Sequence, residues 1–197
     1  MNLRTALLAT LLCVINIATA QQKSPSAKEP AESTTTTYRN AAFGFRYRIP
    51  YGWVDRTKEM QDGNDASKGE VLLAVFERPP QAAGATINAA VVIAAEKAAD
   101  YPGLKKAEDY LGPLTDLTTA KGFKADGDPS EAGIGSQRMV RIDFSKPLSD
   151  KLIMHQTTLV MLNKGSIVSF TFIAESTEAV DDLIDGISFS ALKPKAK

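Results

Sequence analysis

The chain has 197 residues, with 23 basic and 23 acidic side chains, one histidine, one cysteine and 44% hydrophobic residues. A charge balance this even lacks the basic footprint of a nucleic-acid binder. One histidine and one cysteine are too few for a zinc site built from several such ligands.

Residues 1–20 read as a cleavable signal peptide. Positive charge comes early, on the amino group and Arg4, and an apolar run from Ala6 to Ile17 follows. The run closes on Ala18-Thr19-Ala20, the small side chains that a signal peptidase accepts, so cleavage is expected between Ala20 and Gln21. It is shorter than the roughly 20 apolar residues that span a bilayer. Cys13 sits mid-run behind Leu12, which does not suit lipidation. Cleavage would remove the only cysteine and leave 22 basic against 23 acidic side chains. Export would permit disulfides, yet the mature chain could form none, so its stability must come from its core. The expectation is a periplasmic or secreted protein with no transmembrane segment after cleavage.

Residues 21–37, QQKSPSAKEPAESTTTT, contain no large apolar side chain and read as a disordered linker. Residues 38–192 form the expected domain, long enough for a single sizeable core. Residues 193–197 read as a flexible basic tail.

The domain opens on an aromatic strand. Phe43, Phe45 and Tyr47 alternate with Gly44, Arg46 and Arg48, which is the period of a half-buried strand. Pro50 ends it, and Gly52 suits the turn that follows. Six of the chain's 14 aromatic residues lie between Tyr38 and Trp53. That density favours a core, with an exposed recognition surface at Tyr51 and Trp53 as the alternative. Residues 55–69 read as a polar loop, followed by buried strands at 71–77 and 87–95. Leu104, Ala107, Leu111, Leu114 and Leu117 stripe one helix face, interrupted at Gly112-Pro113. The interruption predicts a kink, or two short helices with Pro113 opening the second.

From Phe123 the pattern returns to strands. Val140, Ile142 and Phe144 share one face, and strands at 152–162 and 166–174 flank the tight turn Asn163-Lys164-Gly165. These last three strands form a meander. Ser176 caps a final helix, with Val180, Leu183, Ile184 and Ile187 as its apolar stripe. Asp181, Asp182 and Asp185 fall on the opposite, solvated face. The fold class is therefore α+β: an antiparallel sheet of six or seven strands with helices packed on its faces.

Two segments are similar to a known superfamily. The run Tyr38-Arg39-Asn40, then Phe43-Gly44-Phe45-Arg46-Tyr47-Arg48-Ile49-Pro50-Tyr51-Gly52-Trp53, resembles the first strand and Pro-x-Gly-Trp turn of PsbP-like domains. The hairpin at 165–174, the helix at 176–187 and Ser188-Phe189 resemble that superfamily's closing elements. The resemblance implies an α/β/α sandwich. It further implies a binding or accessory role, since the superfamily includes lumenal photosystem subunits, a nuclear-import factor that binds a small GTPase, and exported bacterial proteins. It carries over no catalytic residues and no cofactor.

Candidate chemistry is sparse. His155 would have to serve any Ser-His-Asp relay, and there is no G-x-S-x-G elbow. Two oxygen-rich loops are metal candidates: Asp62, Asn64 and Asp65 in one, Asp126 and Asp128 in the other. Ala66 and Ser67 break the twelve-residue calcium-loop spacing, and the same residue types are ordinary turn formers. The leading expectation is an exported, non-enzymatic module that binds another exported or envelope protein. The alternatives are a small-molecule or calcium-binding domain, and an enzyme, such as a hydrolase, built on carboxylates or His155.

Overall fold

The computed structural model describes residues 36–62, 69–79 and 86–189. Its architecture is α+β, and its strands divide between two antiparallel sheets rather than the single sheet expected. The small sheet joins β1 (Thr37–Asn40), β2 (Phe45–Arg48) and β11 (Ile187–Phe189) in the order β1-β2-β11. The main sheet joins β3 (Val54–Asp55), β4 (Glu70–Phe76), β5 (Ala90–Lys97), β6 (Lys124–Ala125), β7 (Ser130–Ile134), β8 (Gln137–Ser149), β9 (Leu152–Asn163) and β10 (Ser166–Ala174). Its order is β3-β4-β5-β10-β9-β8-β6, with β7 also on β8. Three α-helices accompany them: α1 (Thr57–Asp62), α2 (Leu111–Thr119) and α3 (Thr177–Ile184).

The expected meander is present, with β8, β9 and β10 as adjacent strands. Asn163 pairs with Ser166, so the turn has only two central residues. Lys164 and Gly165 both have positive φ, at 52° and 76°, the conformation whose twist matches a hairpin. Alternation then assigns the faces. Val168, Phe170 and Phe172 of β10, with Leu159 and Met161 of β9, meet the small sheet and α3. Ile167, Val160, Val140, Ile142 and Phe144 meet Tyr110, Leu111 and Phe123 on the opposite face. The result is two cores separated by one sheet.

The small sheet plugs the first core with aromatic rings. Phe45 stands edge-on to Phe170 at 4.9 Å, and Tyr47 lies 6.3 Å from Phe172. Tyr47 is fully buried, and its hydroxyl has no hydrogen-bond partner among the described residues. Burial pushes its pKa above the ordinary phenol value, with the nearby Arg48 charge acting the other way. A buried hydroxyl without a partner costs about 1–3 kcal/mol of desolvation. Tyr47→Phe should therefore raise stability, by about 1 kcal/mol, in urea-melt comparison with the parent. A loss of stability would show that the hydroxyl has a partner.

The structure departs from the sequence reading in four further places. The polar stretch at 55–69 contains α1, begun by Asp55, whose carboxylate accepts the Thr57 amide at 2.8 Å. This helix covers the edge of β4: the Arg56 amide reaches the Ala74 carbonyl, and Gln61 reaches that of Val71. Covering an edge in this way blocks sheet extension. The helical stripe starts as a 3₁₀ turn at Ala107–Tyr110 before α2, and Pro113 sits in the first turn of α2. Leu117 is 60% exposed, and Thr118 takes the buried position instead, its hydroxyl bonded to the Leu114 carbonyl. The final helix ends at Ile184, so Ile187 belongs to β11 and not to the helix. Thr37, the last residue of the expected linker, opens β1.

Two expectations for this region hold in detail. The Ser176 hydroxyl caps α3 by accepting the Ala179 amide at 3.1 Å. Asp181 lies on the solvated face expected of it, 59% exposed, and there meets Arg141 of β8 at 2.8 Å. Arg141 also contacts Asp143 at 3.0 Å, so one guanidinium ties the helix to the sheet.

Candidate functional site

Strand register gathers Phe76, Ala90, Ala174 and His155 at one end of the main sheet. The turn Pro50-Tyr51-Gly52-Trp53 folds over this end. Gly52 has φ 82°, and the Trp53 amide reaches the Pro50 carbonyl at 3.3 Å. This is the geometry of a type II turn, which favours glycine at its third position. The turn splits the two aromatic residues. Trp53 is half-buried against the first core, while Tyr51 is 77% exposed. The sequence reading of core or recognition surface thus resolves differently for each.

Beneath Trp53 lies a groove of about 330 Å³, with Ala174, Ala179 and Leu183 as its apolar lining and Glu77, Glu175 and Asp182 as its charged lining. Arg78 stands beside it, 3.4 Å from Glu77 and hydrogen-bonded to the Thr86 carbonyl at 2.6 Å. The Asn88 side chain brackets Arg78, accepting its amide and donating to its carbonyl, which fixes the ends of the β4–β5 connection.

Next to the groove projects a hairpin arm. β6 pairs β8 only at Lys124–Ala125, opposite Phe144 and Ser145, and β10 ends at Ala174, opposite His155. The tip from Pro147 to Ile153 therefore pairs only with itself among the described residues. Leu148 and Ile153 on this tip are 46% and 43% exposed. Pro147 has no amide hydrogen and a bulge follows it, so the outer edge of the arm resists adding a strand. What the arm offers is side chains. Ile153 shares the α3 side of the sheet with His155 and lies about 7 Å beyond it along the strand.

A larger cavity, of about 560 Å³, lies at the opposite end of the sheet, with Phe43, Glu70, Glu96, Lys97, Asp100 and Ser166 in its lining. Both Glu96 carboxylate oxygens accept phenol hydroxyls: Tyr110 at 2.5 Å, and Tyr101 on the other oxygen. The two rings stand perpendicular, 5.1 Å apart. Burial, then the bond to Glu96, pushes the Tyr101 phenol up to about 12, and the same causes raise Tyr110. Both tyrosines therefore remain donors at neutral pH and fix the carboxylate in place. Neither sequence spacing nor motif pointed to this grouping, because Glu96 ends a strand while its partners sit on separate 3₁₀ segments.

The residues singled out from sequence are scattered. Ala20, Gln21, Asn64 and Asp65 lie outside the described residues. Asp62 ends α1 on the surface. Asp126 and Asp128 are both exposed, and the Asp126 carboxylate accepts the Ser145 hydroxyl at 2.9 Å. Ser145 is the cross-strand partner of His155, so three residue types of a hydrolytic triad meet here. Their wiring differs from a proton relay. The carboxylate accepts the serine hydroxyl's hydrogen bond directly, and the His155 side chain has no hydrogen-bond partner among the described residues. These three residues line neither cavity. Among the described residues, no three acidic, histidine or cysteine side chains group in a metal-binding arrangement, and no helix is long and apolar enough to cross a membrane.

No protein-family model and no curated protein matches the chain by sequence. Solved structures do match. The solution structure of cyanobacterial PsbP (CyanoP) from Synechocystis sp. PCC 6803 is 13% identical with a TM-score of 0.54, over 85% of this chain and 99% of that one. LpqN, involved in cell envelope biogenesis of Mycobacterium tuberculosis, is 11% identical with a TM-score of 0.42, over 81% and 87%. Mog1 is 10% identical with a TM-score of 0.44, over 77% and 82%. At such identities the likeness is one of fold: the chain has a PsbP-like α+β architecture.

Proposed function

We propose that this protein is an exported, non-enzymatic binding module that docks another exported or envelope protein through the sheet end bearing the hairpin arm. The observation that carries the reading is the tip from Pro147 to Ile153, which pairs only with itself among the described residues and holds Leu148 and Ile153 out to solvent. Apolar side chains on a projecting element, with no fold of their own to stabilise, suit burial against a partner. The leader at residues 1–20 supplies the address. The miswired Asp126–Ser145–His155 grouping supports a role without catalysis.

The test is site-specific photo-crosslinking in the native envelope. A crosslinker at Ile153 should capture a discrete partner. The same group at Leu117, which is more exposed but lies on α2, should not. Leu148→Asp combined with Ile153→Asp should reduce capture at least tenfold. Its stability should stay within about 0.5 kcal/mol, as expected for surface substitutions. Equal capture from both positions, or none, would sink the docking role.

A second reading rests on the cavity beside Glu96, whose oriented carboxylate suits a small-molecule or calcium ligand. A rise in Tm on titration with calcium or common metabolites, with no capture from the arm, would move the function to that end.

A further inference from the structure

We infer that the groove under Trp53 receives a lysine or arginine side chain of the docked partner. The inference rests on reading this sheet end as a docking surface and adds the chemistry of what binds there. Three carboxylates line the groove, and among the described residues no basic side chain does. Arg78 is committed to Glu77 and to the Thr86 carbonyl. Glu175 and Asp182 have no cationic partner among the described residues. The structure therefore leaves two unneutralised carboxylates on the rim of an apolar slot.

The lining divides as a long basic side chain does. Methylene groups of a lysine or arginine stem can lie on Ala174, Ala179 and Leu183, while the charged head stays at the rim. Trp53 also lines the groove, and an indole ring attracts a cation through its quadrupole. A volume of about 330 Å³ suits one extended side chain. It sits at the lower bound of roughly 300 Å³ for small-molecule pockets. The carboxylates do not group in metal-binding geometry, which favours an organic cation over a bare ion. Ile153 lies on the α3 side of the same sheet end, about 7 Å beyond His155, so a segment that meets both features carries an apolar residue as well as a basic one.

Trp53 is the chain's only tryptophan, so its fluorescence reports this groove alone. The probe is an acetylated, amidated leucine–arginine octapeptide, titrated into the folded protein. A saturable change in Trp53 emission is expected. Affinity should fall at least tenfold when glutamine replaces arginine in the peptide, and fall again as salt screens the carboxylates. Glu175→Gln with Asp182→Asn should weaken binding at least tenfold while leaving the melting curve in place. Equal binding of the glutamine peptide would overturn the inference. So would N-acetylarginine amide binding as tightly as the peptide, which would make the groove a site for free small cations. A flat titration with arm crosslinking intact removes the groove assignment but spares the docking role. A positive titration with no capture from the arm removes the assignment to a partner protein.

Discussion

Phe170→Ala is expected to cost about 4 kcal/mol, near the upper end for truncating a buried aromatic ring. Phe170 lies mid-way along β10, the strand between β5 and β9, and is 0% exposed. Its ring meets Phe45 of β2 edge-on at 4.9 Å and Phe189 of β11 at 6.3 Å. It is thus one of the points where main and small sheets touch. Removing the ring loses its transfer free energy and leaves a cavity between two layers that the strand ladders hold apart. Domains of this size carry only about 5–15 kcal/mol of net stability, so the loss is a large share of the total. Urea unfolding should show a lower midpoint with an unchanged slope. Phe170→Leu, which keeps most of the volume, should cost far less. A loss below about 2 kcal/mol for the alanine variant would mean that the two sheets do not depend on this contact.

Gly186→Ala should be strongly damaging for a change of a single methyl group. A Cβ at this position would stand 2.8 Å from Tyr47 Cε2, 3.0 Å from the Leu183 carbonyl oxygen and 3.2 Å from that of Arg48. Two of these three atoms are backbone, and the third belongs to a ring that is fully buried. None can move cheaply. The Gly186 carbonyl also accepts the Arg48 amide at 2.9 Å, which anchors the approach of β11 to β2. The glycine is needed here for closeness. Overpacking of this kind costs about 1–3 kcal/mol, and the top of that range is expected because the neighbours are rigid. Gly133→Ala serves as the control, since nothing lies within 4 Å of the added Cβ and its φ is unstrained. If Gly186→Ala melts with the control, β11 is free to shift and its pairing with β2 is loose.

Much of the fold was legible because its strongest signals are local. The alternation of Val140, Ile142 and Phe144, the two-residue turn at Lys164-Gly165 and the Ser176 cap each depend on neighbours in sequence. All three appear where the pattern put them. The aromatic strand at Phe45 and Tyr47 was also legible, but not its partners. Alternation identifies a strand without saying which strand it pairs with, so the separate small sheet could not be read. Leu117 shows the converse error. A leucine at helical spacing looks buried, yet α2 is one short helix whose contact face is settled by Leu111, Leu114 and Thr118. The helix α1 escaped because its residues are polar and its reason for forming lies 17 positions away, at the edge of β4.

For function the division is sharper. By itself the sequence carried the expectation of a leader and determined the aromatic Pro-Tyr-Gly-Trp turn, both contiguous strings whose chemistry needs no partner. Only the tertiary structure decided that Tyr51 faces solvent while Trp53 roofs a groove, and that the tip from Pro147 to Ile153 extends past both neighbouring strands. It also set Glu77, Glu175 and Asp182 around one slot, although nearly a hundred residues separate the first from the others. The physical reason is register. Hydrogen-bonded pairing sets Phe76 opposite Ala90, Ala90 opposite Ile173 and Ala174 opposite His155, and that alignment depends on the whole ladder rather than on any one strand.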